Sequence, residues 1–272
     1  MKRNIFIKIL AATFAAALLI IFCGCGAQNG TAGKDDSLQK VLDAGKLILG
    51  LDIEFPPMGF VDDSGEIVGF DIDVAREVCK RLGVELILQG IDWEVKDEFL
   101  NDGRIDCIWN GFSSTPERAE VMTLSEPYMK NEQIFVVAGS SDVKEMKDLA
   151  GKKVGVQSGS TSQDALEKSG IYAEIIVVPS DSHQENVEKL IRGEVDAILV
   201  DSVAAYYSIF SSESKYYVLP ESLGQEEYVI GFRKGDLALC DAIQKTIRAM
   251  KADGTLGEIS KKWFGSDITT VK

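Results

Sequence analysis

Histidine is almost absent: His183 is the only one in 272 residues. One histidine in a polar stretch supplies no evident serine or cysteine dyad, and "GVQSG" (155–159) does not fit the GxSxG nucleophile elbow. Cysteine is scarce as well, with five in the chain. Cys23 and Cys25 close an N-terminal apolar run. Cys79, Cys107 and Cys240 are odd in number, form no CxxC pair and sit in apolar local patterns, so they read as buried free thiols rather than zinc ligands. "DDSGE" (62–66) lacks calcium-loop spacing. The sequence therefore implies no metal and no cofactor. Basic residues are outnumbered, 29 against 43 acidic ones for a net charge of −14, which excludes nucleic acid as a natural partner. Long hydrophobic runs are missing except for Ile9–Phe22, which is shorter than the roughly 20 residues of a membrane span.

What is present begins with that run. Lys2, Arg3 and Lys8 precede it, the pattern of an export leader. "FCGC" (22–25) resembles a bacterial lipoprotein cleavage box with Cys25 as the acceptor, although Phe22 departs from the usual aliphatic residue. Residues 1–24 are thus expected to be a lipoprotein signal peptide. Residues 25–36, rich in Gly, Ala and polar residues, read as a flexible tether from a lipid on Cys25. The protein is then extracytoplasmic and lipid-anchored to the bacterial cell membrane.

Beyond the tether, strand and helix patterns alternate. "KLILGLDI" (46–53) reads as a strand, and consecutive prolines in "EFPPMGF" exclude a helix. "DDSGEIVGF" reads as a hairpin. Ile72, Ala75, Val78, Cys79 and Leu82 follow helical spacing up to Gly83. "VELILQGI" is the next strand, a second amphipathic stretch lies near residues 93–100, and Lys153–Gln157 is a strand leading into a helix at about 162–168. Two passages share one design: "LNDGRIDCIWNGFSST" and "LIRGEVDAILVDSVAA" each give a leucine, a glycine turn, an acid, a buried strand and a polar exit. Two similar α/β lobes follow. Ligands of open α/β sheets bind beyond the carboxyl ends of strands, where Asn110, Gly111, Ser113, Ser158–Ser162 and Asp201 fall.

In "WNGFSSTPER" (109–118), Thr115 suits an N-cap, Pro116 the first helical position, and Arg118 the first turn, where a cation opposes the helix dipole. Two readings stand: a surface arginine paired with Glu117 or another acid, or a guanidinium that helps a helix start hold a carboxylate. Asp201 ends the apolar run "AILV" either as a helix cap or as the partner of a cation. Gly111 permits positive φ and close approach to a ligand, or merely makes a turn. His183, in a polar loop, reads as a solvated surface residue.

Five segments in register, "GLDIEFPPMGF", "GFDIDVAREVCKRLG", "DGRIDCIWNGFSSTPER", "AGKKVGVQSGST" with "GEVDAILVD", and "GTLGEISKKWFG", make the chain resemble the family 3 extracellular solute-binding proteins. These are polar amino-acid receptors of bacterial ABC importers. The likeness spans roughly Ser37 to Gly265. It implies a two-lobed periplasmic-binding-protein-like (type II) α/β fold, with residues 37–130 and 228–272 in lobe 1 and 136–225 in lobe 2. Hinge strands at 131–137 and 226–232 would join the lobes.

The resemblance further implies a site. Arg118 would clamp the ligand α-carboxylate with Ser113 and Thr161, Ser160 lying beside them. Asp201 would take the α-amine, helped by backbone acceptors around Gly111. Asp52, Phe55, Trp109, Asn110 and Gln157 would choose among side chains, Trp109 serving either as core filler or with Phe55 as a sandwich for the ligand. The implied partners are a free polar amino acid (glutamine, a basic residue or cystine) and a membrane permease, with a monomeric receptor. The alternatives are a cyclohexadienyl-dehydratase-like enzyme on the same fold, for which the sequence offers little, and a ligand-sensing receptor, which would need a membrane helix and a signalling domain after Lys272.

Overall fold

Alternating burial and β-branched runs organise the chain around one mixed sheet. The computed structural model describes residues 35–208 and 215–272; the leader, Cys25 and most of the tether lie outside the described residues. Helix α1 (Ser37–Ala44) leads to β1 (Lys46–Leu51), the short β2 (Glu54–Phe55), β3 (Gly59–Val61) and β4 (Ile67–Val68). Then come α2 (Phe70–Leu82), β5 (Glu85–Gly90), a 3-10 turn at Trp93–Val95, α3 (Lys96–Asn101), β6 (Cys107–Ser113), α4 (Pro116–Val121) and β7 (Met122–Leu124). After β8 (Met129–Ala138), β9 (Lys153–Gln157), α5 (Thr161–Glu167), β10 (Ile176–Ser180) and α6 (His183–Ile191) come β11 (Ala197–Asp201) and α7 (Ser202–Ser208). The chain closes with β12 (Tyr216–Arg233), α8 (Leu237–Ala252) and α9 (Thr255–Phe264).

The main sheet runs β10-β9-β11-β8-β12-β6-β1-β5, with β7 on β12, while β2-β3-β4 form a small antiparallel sheet. β1 pairs in parallel with β5 and β6, and β9 with β10 and β11. This is the arrangement that βαβ crossovers produce. The two parallel groups are joined through β8 and β12. These are long antiparallel partners paired from Tyr216↔Ala138 to Tyr228↔Met129, and β12 then continues onto β6 and β7. Both stretches expected as hinges fall inside these longer strands.

Each half of the sheet has its own apolar core. One packs α2, α8 and α9 on β1 and β6 through Leu47, Leu49, Phe70, Val78, Trp109 and Ile243. The other gathers Phe135, Val154, Val156, Leu166 and Leu199 around β9 and β11. Residues 35–272 nevertheless form one compact unit. Cys79, Cys107 and Cys240 are buried free thiols. Among the described residues no helix is long and apolar enough to cross a membrane.

Local signals place the elements. Apolar residues at helical spacing bury one face of α2, and Gly83, left-handed at φ 75°, caps it and donates to Lys80 and Cys79 carbonyls. The same device, left-handed Gly45, ends α1. α4 begins as its sequence predicts: Oγ1 of Thr115 accepts from the Arg118 amide at 3.1 Å, and Pro116 occupies the first turn.

Candidate functional site

The carboxyl ends of β1, β6, β9 and β11 converge on a cavity between the two halves, where open α/β sheets place their ligands. From the first half Asp52, Phe55, Asn110, Gly111, Ser113 and Arg118 line it; from the second, Gln157, Ser160, Thr161 and Asp201 do. Residues from separate strands, up to 149 positions apart, are thus brought to one place.

Arg118 is half-buried on the first turn of α4. Its Nη1 donates to the Ser113 carbonyl at 2.7 Å, and the guanidinium lies 4.1 Å from the Phe112 ring centre. Glu117 turns away to pair with Lys168 at 2.9 Å, so the local-pair reading of Arg118 fails. Among the described residues no carboxylate pairs with the guanidinium. Burial lowers its pKa, and Asp97 and Asp164 oppose that, so it stays charged.

Asp201 faces the cavity with both oxygens held: Oδ1 accepts from Gln133 Nε2 at 2.5 Å and Oδ2 from the Tyr228 hydroxyl at 2.5 Å. Burial, then the neighbouring Glu226, push its carboxyl up to about 7. Glu226, on β12, accepts from Ser113 Oγ at 2.6 Å, Gln133 Nε2 at 2.9 Å and Asn131 Nδ2 at 3.1 Å. Ser162 Oγ donates to Gln133 Oε1 at 2.6 Å. One hydrogen-bonded chain therefore runs from β6 through the joining strands β8 and β12 to α5 and β11.

Asp52 follows β1. Its Oδ1 accepts from the Glu54 amide at 2.8 Å and its Oδ2 from Gln157 Nε2 at 2.8 Å, while its own amide donates to Asn110 Oδ1 at 3.1 Å. Burial pushes this carboxyl up to about 6. Gly111 is left-handed at φ 57°, and a Cβ there would lie 2.7 Å from Phe55 Cε1. Its amide donates to Asp71 Oδ2 at 2.7 Å. Asp71, from "GFDID", also accepts from the Tyr128 hydroxyl at 2.9 Å, and burial raises its carboxyl to about 7. That carboxyl thus anchors the glycine loop from behind. Ser160 caps α5, accepting from the Gln163 amide at 3.2 Å, and Thr161 is the first residue of that helix.

Trp109 is the one expected site residue that the structure keeps off the cavity. Its indole is fully buried in the core of the first half, 6.5 Å from the Tyr128 ring. The indole N–H acts on the Asp71 carboxyl without reaching hydrogen-bond geometry. Trp93 is the indole that lines the cavity instead.

His183 differs from its expected place in a solvated loop. It is the first residue of α6, buried at 3% exposure, on the cavity wall and edge-on to Phe55 with ring centres 5.1 Å apart. Burial holds its imidazole down at about 4, so the ring is neutral. Asn186, one turn further on, also lines the cavity. Lys96 is buried too, donating from Nζ to the carbonyls of Trp93 and, in the other half, Gly159, both at 3.0 Å; burial lowers its pKa to about 8. With Asp52–Gln157 and Phe55–His183, this bond draws the halves together over the cavity. Among the described residues no group of acids, histidines and cysteines could hold a metal.

The sequence pattern of the bacterial extracellular solute-binding proteins, family 3, matches residues 47–266. An L-cystine-binding protein of Escherichia coli K12 is 34% identical over 85% of this chain and 87% of its own length. An ABC transporter glutamine-binding protein of Bacillus subtilis is 31% identical over 97% of this chain and 98% of its own. Among solved structures, an ABC uptake transporter substrate-binding protein from Streptococcus pneumoniae with bound histidine superposes with a TM-score of 0.82 at 35% identity, covering 88% of this chain and 100% of that one.

Proposed function

Because the chain belongs to the bacterial extracellular solute-binding proteins, family 3, whose fold it has, we propose that it captures one free polar amino acid between two closing lobes and delivers it to the permease of an ABC importer. Two of its relatives are an L-cystine-binding protein and an ABC transporter glutamine-binding protein, and the chain acts as a receptor, outside the cytoplasmic membrane, rather than as an enzyme. The proposed lobes are residues 37–130 with 228–272, and residues 136–225, with 131–137 and 226–232 as the hinge. Residues 1–24 would be removed and a lipid on Cys25 would hold the monomeric receptor to the membrane through residues 25–36.

One observation carries the reading: a charged Arg118 on a helix start, beside Ser113, that pairs with no carboxylate among the described residues, in a cavity whose other wall presents Asp201. A guanidinium and a carboxylate facing one small space are complementary to the two ends of a zwitterion. Arg118, Ser113 and Thr161 take the α-carboxylate. Asp201 takes the α-amine, with Gly111 leaving its backbone open to close approach. Asp52, Phe55, Asn110, Gln157 and Ser160 surround the side chain.

The ligand bridges the halves. It binds the closed arrangement better than the open one, and so shifts the population toward the form a permease can recognise. The test is a thermal-shift screen of protein unfolded, stripped of ligand and refolded, against the common amino acids, cystine, ornithine and several sugars, since a ligand selective for the native state raises the melting point. A shift by amino acids alone supports the receptor; a cooperative melt that no amino acid moves overturns it.

A further inference from the structure

Beyond the residues that read the zwitterion, the cavity wall carries a second set of polar atoms. Asn110 Nδ2, His183 Nε2, and both Oδ1 and Nδ2 of Asn186 have no hydrogen-bond partner. These three side chains are 1%, 3% and 0% exposed, so solvent does not satisfy them, and all three line the cavity. A buried donor or acceptor left unpaired bears the full cost of its lost hydration. Three such residues around one cavity, Asn110 from the first half and His183 and Asn186 from the second, therefore mark a surface shaped for a polar group of something bound there.

The atoms define that group. The orientation of the Asn110 amide is fixed because its Oδ1 accepts from the Asp52 amide at 3.1 Å, which leaves Nδ2 as a donor in want of an acceptor. Asn186 offers one donor and one acceptor whichever way its amide is turned. His183, neutral through burial, offers either, and Asp52 supplies an acceptor close by. A guanidinium or ammonium brings donors alone: it leaves Asn110 and Asn186 donors unsatisfied and sits against the positive start of α6. A carboxylate by itself brings acceptors alone and faces Asp52.

We infer that Asn110, His183 and Asn186 form a side-chain subsite that selects an amino acid whose far end both donates and accepts hydrogen bonds and carries no net charge, such as a carboxamide or a second zwitterion. The inference rests on the proposed amino-acid receptor and adds its specificity. Asn186 and His183 belong to α6, so the second half of the molecule joins Asn110 in reading the side chain, while Arg118 on the first reads the carboxylate.

Calorimetric titration of the refolded full chain with L-glutamine, L-cystine, L-arginine, L-glutamate and L-alanine tests it. Glutamine or cystine should bind at least tenfold more tightly than arginine and glutamate, with alanine reporting the zwitterion clamp alone. Asn186→Ala should cut the favoured ligand's affinity by about 3- to 10-fold, the worth of one hydrogen bond, and leave alanine's within twofold, whereas His183→Ala, which also removes the contact with Phe55 across the cavity, should weaken the favoured ligand more than alanine. His183→Gln, which keeps a polar side chain, should lose less than His183→Ala and serves if the latter does not fold. Arginine or glutamate as the tightest ligand, or equal losses for alanine and the favoured ligand, would overturn the subsite while leaving the receptor standing. Binding of no amino acid would instead remove the receptor reading itself.

Discussion

The carboxamide of Gln157, at the end of β9, donates to the carboxylate of Asp52, just beyond β1, across 2.8 Å. Two strands from different halves of the sheet are thereby tied at their carboxyl ends, and the buried charge of Asp52 is stabilised by a donor from the opposite wall. Gln157→Leu should raise the Asp52 carboxyl above its value of about 6, because desolvation remains and the donor goes. Carbon-13 titration of the aspartate carboxyls would show it; an unchanged Asp52 titration would mean that the two residues do not meet in solution.

Arg118→Ala should weaken every amino acid together, by a factor on the order of 100 or more, as expected for one partner removed from a buried charged hydrogen-bond pair. Arg118→Lys should recover only part, since an ammonium cannot hold a carboxylate with two parallel bonds. Titration calorimetry with several amino acids checks both, and retained affinity in Arg118→Ala would sink the carboxylate role.

Asp201, raised to about 7 by burial and by Glu226, is half protonated near neutrality in the ligand-free protein. An ammonium placed against it favours the ionised form. Binding should therefore release a proton to buffer at pH 6–7, and affinity should climb as pH rises toward 7. Calorimetry in buffers of different ionisation enthalpy measures the release directly. Glu226→Gln should reduce it, because Asp201 then ionises more readily before the ligand arrives. Proton-neutral binding throughout this range would remove Asp201 from the amine.

Gly111→Ala should destabilise the fold more than Gly83→Ala. Both glycines are left-handed, at φ 57° and 75°, so each alanine meets the roughly 1–2 kcal/mol penalty of that region. A Cβ at position 83 meets nothing within 4 Å, whereas one at position 111 would press on Phe55. Urea denaturation of the two variants compares them, and equal midpoints would show that the Gly111 loop yields.

Asp71 is predicted to make stability fall as pH rises through neutrality. Its carboxyl titrates near 7 in the folded chain against 3.8 for a free aspartate, so the native state holds a proton that the unfolded chain has lost between those values. The contribution is complete below about pH 4 and disappears as pH passes 7. Asp52 and Asp201 act in the same direction. His183, held at about 4, acts against them between pH 4 and 6.5, where only the unfolded chain binds its proton. Three groups against one leave melting temperature falling from pH 5 to 8. Asp71→Asn should flatten the curve between pH 6 and 8, and an unaltered slope would show that the proton resides elsewhere.

The sequence was most readable where chemistry is local. Lys153–Gln157 stands out because a β-branched core is bracketed by glycines, and the start of α4 because Thr115 and Pro116 are written side by side. His183 was missed because its neighbours are polar, although Ser182 followed three residues later by Glu185 is a helix-start signature, and the Ser182 hydroxyl does accept from the Glu185 amide at 3.1 Å. What buries the imidazole is Phe55, 128 positions away, and no local pattern announces that. Glu226 hides in the polar stretch "GQEEY" for the same reason: its partners Ser113, Asn131 and Gln133 come from other strands. The sequence leaves Trp109 between two roles, since a continuous buried strand does not reveal which of its faces meets a cavity and which meets the core.

The path of β12 has a consequence for how the chain can assemble. β6 leaves the ribosome more than a hundred residues before the strand that must lie beside it, and α8 and α9, which cover that part of the core, come last of all. The half of the molecule that is begun first is therefore finished last. Until residues 216–264 have emerged, its sheet has an open edge and an uncovered apolar face.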